Sequence, residues 1–152
     1  MNWKQIDRES RIQNEGVYSE WKQQISNDCY NQCVYCSIHE MPWGGIDHYH
    51  IDHFRPQSKF EDLVNIITNL YHCCPICNKF KSNDWKNEPN DLDRICYPDP
   101  SDYNYTDLFN LDTSLVCTSH KSFAGGAPGK AKVVLPSGKI PIAASIEVGR
   151  CL

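Results

Sequence analysis

The sequence predicts an α+β domain: a short helical start, a small two-stranded sheet and one helix, held together by a metal rather than by a large core. Two observations carry this. Cysteines fall in two Cys-x-x-Cys pairs, Cys33-Val34-Tyr35-Cys36 and Cys74-Pro75-Ile76-Cys77, with 37 residues between them. Two β-rich runs lie between the pairs, and a helix start follows directly on the second. With 152 residues and 40% apolar composition, one modest core is available and no more.

Each element follows from its residues. Residues 1–28 are polar and free of proline, with Trp3, Ile6, Ile12, Val17, Trp21 and Ile25 at loose helical spacing broken at Gly16, so one or two helices are expected. Residues 29–86 hold six of the nine cysteines and form the expected core. In His48-Tyr49-His50-Ile51-Asp52-His53-Phe54-Arg55-Pro56, alternation up to Ile51 reads as a strand that Arg55-Pro56 stops. Strict alternation sends Asp52 and His53 to opposite faces, so the strand must end or twist there if both are to serve one site. A second strand is expected over Ile66–His72, and Pro75 suits the start of a helix running on through Asn78 toward Trp85.

The remainder divides by composition. Residues 87–120 are rich in Asn, Asp, Pro and Ser, with Tyr97, Tyr103, Tyr105 and Phe109 as apolar anchors, and read as a loop-rich extension laid over the core. All five alanines lie in residues 121–152, which carry a net charge of +4 against −8 for residues 1–120. This tail reads as a Gly/Ala/Pro-rich extension with a short hairpin at Lys132–Ile142, the alternative being a basic arm for nucleic acid. The net charge of −4 excludes a polyanion binder driven by bulk positive charge. No apolar run reaches the membrane-spanning length, and the first residues have no signal-peptide pattern, so a soluble cytoplasmic protein is expected.

An odd number of cysteines, nine, leaves a thiol over from any complete set of disulfides. Cys33, Cys36, Cys74 and Cys77 instead supply four thiolates, the soft tetrahedral set of a structural Zn²⁺ site. Cys29 and Cys73 are spectators by spacing, although Cys73 can replace Cys74 if the register differs by one. Cys96, Cys117 and Cys151 are expected to be ordinary free thiols.

The run Asp52-His53-x-x-Pro56-Gln57-Ser58, then Asn69-Leu70, then Cys74-x-x-Cys77-Asn78-x-x-Lys81 resembles the His-Asn-His (HNH) endonuclease motif of the ββα-metal superfamily, in its zinc-knuckle form. The resemblance covers about residues 33–85, with Asn78 where histidine is also common. It implies a ββα-metal core in which His53 is the general base, Asp52 and Asn78 hold a catalytic metal ion, and Asn69 braces the loop that presents the base. It further implies DNA as substrate, cut to 5′-phosphate and 3′-hydroxyl ends. More weakly, the chain is similar to the HNH proteins that accompany an ATPase in phage-defence systems of the Septu and retron type, which makes such an ATPase an expected partner.

The residue chemistry agrees with that reading. A neutral imidazole at His53 can accept a proton from water, and the oxygen donors of Asp52 and Asn78 suit Mg²⁺ or Mn²⁺. His50 leaves room for Zn²⁺ or Ni²⁺. Arg55, Lys79 and Lys81, and less clearly Lys59, are candidates for phosphate contact. The competing expectation is a zinc-stapled module that binds nucleic acid or protein without catalysis.

Overall fold

The computed structural model describes residues 3–85, 97–111 and 117–119, with side chains as far as Leu108. The tail at 121–152, its expected hairpin, and Cys96 and Cys151 lie outside the described residues.

Helix α1 (Lys22–Asp28) continues directly from a 3₁₀ turn at Tyr18–Trp21 and turns Trp21 and Ile25, one helical turn apart, into the core. Of the one or two helices expected over residues 1–28 this is the one present; residues 3–17 form none. Their hydrogen bonds go to distant segments instead: the Trp3 indole donates to the Tyr35 carbonyl (3.0 Å), the Ile6 amide to the Pro100 carbonyl (3.1 Å) and the Gln5 amide to the Ser101 carbonyl (2.9 Å). Arg11 is buried, pairs with Asp28 (3.2 Å) and stands over the Tyr71 ring. The amino-terminal segment is therefore a strap whose apolar residues reach the core through tertiary contacts.

Strand β1 (His50–His53) pairs antiparallel with β2 (Leu70–Cys73), in the register His50 with Cys73, Ile51 with His72, Asp52 with Tyr71 and His53 with Leu70. Both strands differ from their expected bounds. β1 begins at His50 rather than His48 and continues through Asp52 and His53, short of the Arg55-Pro56 stop. β2 starts only at Leu70, because Ile67–Asn69 closes as a 3₁₀ turn.

Helix α2 (Pro75–Lys81) follows β2 without a loop. Pro75 occupies the first turn, where its missing N–H costs nothing, and the Cys74 sulfur accepts from the Cys77 amide (3.4 Å). The helix stops short of Trp85 because Ser82 takes a left-handed conformation (φ 45°).

Residues 97–108, including the short helix α3 (Tyr105–Leu108), lie against β2: the Tyr71 hydroxyl donates to Asp99 (2.6 Å) and lies 2.6 Å from the Ser101 hydroxyl. Strands β3 (Phe109–Leu111) and β4 (Cys117–Ser119) form a second antiparallel pair. Among the described residues, no helix is long and apolar enough to cross a membrane. The architecture is a small mixed α+β fold, with the strand, strand, helix order at its centre.

Candidate metal centre and active site

The first knuckle is a tight reversal: the Ser37 amide donates to the Cys33 carbonyl (2.8 Å), the Cys33 amide to the Ile38 carbonyl (2.9 Å), and Ser37 sits at φ 52°. The Val34 amide donates to the His72 carbonyl (3.0 Å), which joins this knuckle to β2 just before the second. Cys33, Cys36, Cys74 and Cys77 are all buried, and their sulfurs lie within 4.8 Å of one another. The Cys36 to Cys74 separation is 3.8 Å. A tetrahedron with metal–sulfur bonds of about 2.3 Å has an edge of about 3.8 Å, so this cluster has the size and donor set to hold a metal ion.

Cys73 is buried beside the cluster but is not one of the four, because Cys74, one residue on, caps α2 with its sulfur turned to Cys77. Burial raises the Cys33 thiol, but the S–H groups of Cys36, Cys73, Cys74 and Cys77 around it outweigh burial and bring it well below its usual range. A thiolate is thus favoured at the centre of the cluster, as metal ligation requires. Burial, opposed by Arg11 and the His72 amide and aided by Asp28 and Cys33, pushes Cys29 up to about 12, leaving it an inert thiol.

The second group of candidate residues lies where β1 faces α2. Residues His50 and Asp52 share one face of the strand, and Asn78 and Lys81 lie one turn apart on the helix. They meet in two rungs. The outer rung joins His50 to Asn78, with Nδ1 and Nδ2 2.9 Å apart on the exposed edge. The inner rung joins Asp52 to Lys81 at 3.0 Å.

Two of the expected site residues lie away from the exposed edge. Asp52, expected to hold the catalytic metal with Asn78, is only 3% exposed, and both carboxylate oxygens are engaged: Oδ1 by the Lys81 ammonium and Oδ2 by the Tyr35 hydroxyl (2.5 Å). It does not meet Asn78; His50 does. Lys81, expected at the phosphate, is 0% exposed, and its ammonium also donates to the His53 carbonyl (2.7 Å). The cause is strand alternation continued through His53: with no twist at Asp52, its side chain is sent inward to a cation from α2.

His53 is turned the other way. Its Nε2 lies 3.1 Å from the Val64 carbonyl, and its ring meets Tyr18 edge to face with centroids 4.7 Å apart. Among the described residues, Nδ1 makes no hydrogen bond. A carbonyl can only accept, so Nε2 carries the proton and Nδ1 holds the free lone pair. Burial lowers the His53 pKa below 6.5; the Val64 carbonyl and Asp52 oppose that shift, and Lys81 adds to it.

Asn69 spans the loop between the two strands. Its Oδ1 accepts from the Arg55 amide (2.8 Å), and its Nδ2 donates to the carbonyls of Arg55 (3.1 Å) and Leu63 (3.2 Å). The Leu63 carbonyl directly precedes Val64, whose own carbonyl holds His53. Asn69→Ala should leave these groups unsatisfied at a buried site and cost about 3 kcal/mol. A urea midpoint lowered accordingly, with faster hydrogen exchange at the Arg55 amide, is the expected measurement.

The cations expected at phosphate are dispersed. Lys79 and Lys59 are exposed, whereas Arg55 is half-buried with its guanidinium over the rings of Phe60 (5.4 Å) and Trp85 (5.2 Å). Comparison with family models, curated proteins and solved structures finds no match to this chain. Three participants escaped the sequence reading: Tyr18, Tyr35 and the structural role of Lys81. Only Tyr35 carried a signal, its place inside the first knuckle.

Proposed function

We propose that the chain is a metal-dependent nuclease of HNH type that hydrolyses phosphodiester bonds of DNA, with its fold stapled by Zn²⁺ at Cys33, Cys36, Cys74 and Cys77. The observation that carries the reading is the state of His53. One ring nitrogen is tied to a backbone carbonyl, the other makes no hydrogen bond among the described residues, and burial favours the neutral ring at physiological pH. A general base needs this combination.

In the proposed reaction His53 Nδ1 takes a proton from a water molecule as its oxygen attacks phosphorus, and the bond to the 3′ oxygen breaks. Lys81 and Asn69 hold the base in position, the former through the His53 carbonyl and the latter through the loop that carries Val64. His50 and Asn78 would hold a divalent ion through the imidazole nitrogen and, once the Asn78 amide turns over and gives up its hydrogen bond to His50, through Asn78 Oδ1, since the two side chains meet on the exposed edge. Such an ion supplies charge neutralisation at the phosphate and leaving oxygen. An imidazole donor without an accessible carboxylate favours Mn²⁺ and its later neighbours over Mg²⁺. Lys79 is the nearest exposed cation in sequence to Asn78 and is placed at the phosphate in this reading.

The test is plasmid cleavage. Wild type should cut with Mn²⁺ and not in EDTA, and His53→Ala should be slower by about 10²-fold or more while still binding DNA. A base works only when deprotonated, and the His53 pKa is lowered, so cleavage should rise with pH to a plateau, with its midpoint below pH 6.5. Closure of the Asp52 carboxylate favours one second reading, a zinc-stapled binding module without catalysis. It predicts DNA retention with no cleavage under any divalent metal.

A further inference from the structure

We infer that Tyr18 is a positioning residue for His53, so that the amino-terminal strap completes the cage of the base. The inference rests on the nuclease reading above for its catalytic meaning and on geometry for its substance.

A single hydrogen bond from Nε2 leaves the imidazole free to pivot about the line to the Val64 carbonyl. A second contact is needed to set the plane of the ring and the direction of Nδ1. Tyr18 supplies it, with ring centroids 4.7 Å apart and an interplanar angle of 78°, a geometry in which one ring edge abuts the other's face and rotation meets resistance. Tyr18 itself is pinned to the same loop that holds the other side of His53: its amide donates to the Asn65 side chain (2.9 Å), one residue beyond Val64.

Gln13 reinforces the attachment. Its amide donates to the Asn65 carbonyl (3.0 Å) and its oxygen accepts from the Ile67 amide (2.8 Å). Strap and loop therefore move as one body around the base. A tyrosine serving the core alone would be buried with its hydroxyl bonded. Tyr18 is half-buried, and among the described residues its hydroxyl makes no hydrogen bond. Its ring, rather than its hydroxyl, is what the neighbouring structure uses.

Two measurements on the full chain test this. In plasmid cleavage with Mn²⁺, Tyr18→Phe should keep wild-type kcat, whereas Tyr18→Ala should lower kcat about tenfold with KM within about twofold, since misdirection of a reacting group costs rate rather than binding. In ¹⁵N spectra of the imidazoles, wild type and Tyr18→Phe should show His53 protonated at Nε2 and bare at Nδ1, and Tyr18→Ala a mixture of tautomers. If Tyr18→Ala does not fold, Tyr18→Leu, which keeps apolar bulk without a flat ring, is read in its place. Unchanged kcat or an unchanged His53 spectrum in the ring-less variant would overturn the inference, as would a Tyr18→Phe protein as slow as Tyr18→Ala. Absence of cleavage by wild type would count against the nuclease reading alone, because the spectra still decide whether Tyr18 sets the imidazole.

Discussion

Cys74→Ser should yield no folded, soluble protein, while Cys73→Ser, one residue away, should fold and retain its metal. Cys74 has two tasks: its sulfur is one of the four that lie within 4.8 Å of each other, and it caps the helix that carries Asn78 and Lys81. Loss of a structural zinc site in a small module removes folding free energy on the order of 10 kcal/mol, about the whole stability of a domain this size. The described sheet cannot compensate, since β1 and β2 have four residues each. Metal analysis should find one zinc per chain in wild type and in Cys73→Ser. A folded Cys74→Ser protein, or a wild-type protein free of zinc, would remove the metal staple from this account.

Asp52→Ala should destabilise the fold by about 3–5 kcal/mol, because it leaves the Lys81 ammonium buried without its counter-charge. An exposed metal ligand would behave in the opposite sense: its removal relieves charge in the metal-free protein and costs little stability. The double variant Asp52→Ala/Lys81→Met should recover much of the loss, since an apolar side chain of similar length replaces the stranded cation. Tyr35→Phe should cost less, roughly 1–3 kcal/mol, by removing one hydrogen bond to a charged group. Urea denaturation of wild type, Asp52→Ala, Lys81→Met and the double variant provides the cycle, with Tyr35→Phe read beside it. Wild-type stability in Asp52→Ala would return Asp52 to the metal.

The inner rung also links the two centres. Tyr35 belongs to the first cysteine knuckle, Asp52 to β1 and Lys81 to α2, and the Lys81 ammonium ends on the carbonyl of His53. Loss of the knuckle is therefore felt at the backbone of His53, the proposed base. Zinc removal and base replacement should be separable all the same, the first by loss of fold and the second by loss of rate alone.

The amino acids by themselves determined the cysteine set and the order of the central elements. Cys-x-x-Cys spacing is a local property, since each pair must turn tightly whatever the rest of the chain does, and Pro75 after a β-rich run marks a helix start from its own covalent geometry. Alternation along β1 posed the conflict between Asp52 and His53 but did not resolve it, since a strand that ended or twisted there would have brought both to one site. Both side chains are buried, and only the tertiary structure decided what each met: His53 a loop carbonyl and a tyrosine ring, Asp52 a cation from a helix 29 residues further on. A carboxylate in a motif reads the same whether it awaits a metal or a lysine, because the choice depends on what the fold brings opposite it. The strap is the same case: Trp3 and Ile6 belong to a loosely helical pattern, but their partners, Tyr35 and Pro100, are supplied by other segments, and those long-range hydrogen bonds outweighed a weak local preference for helix.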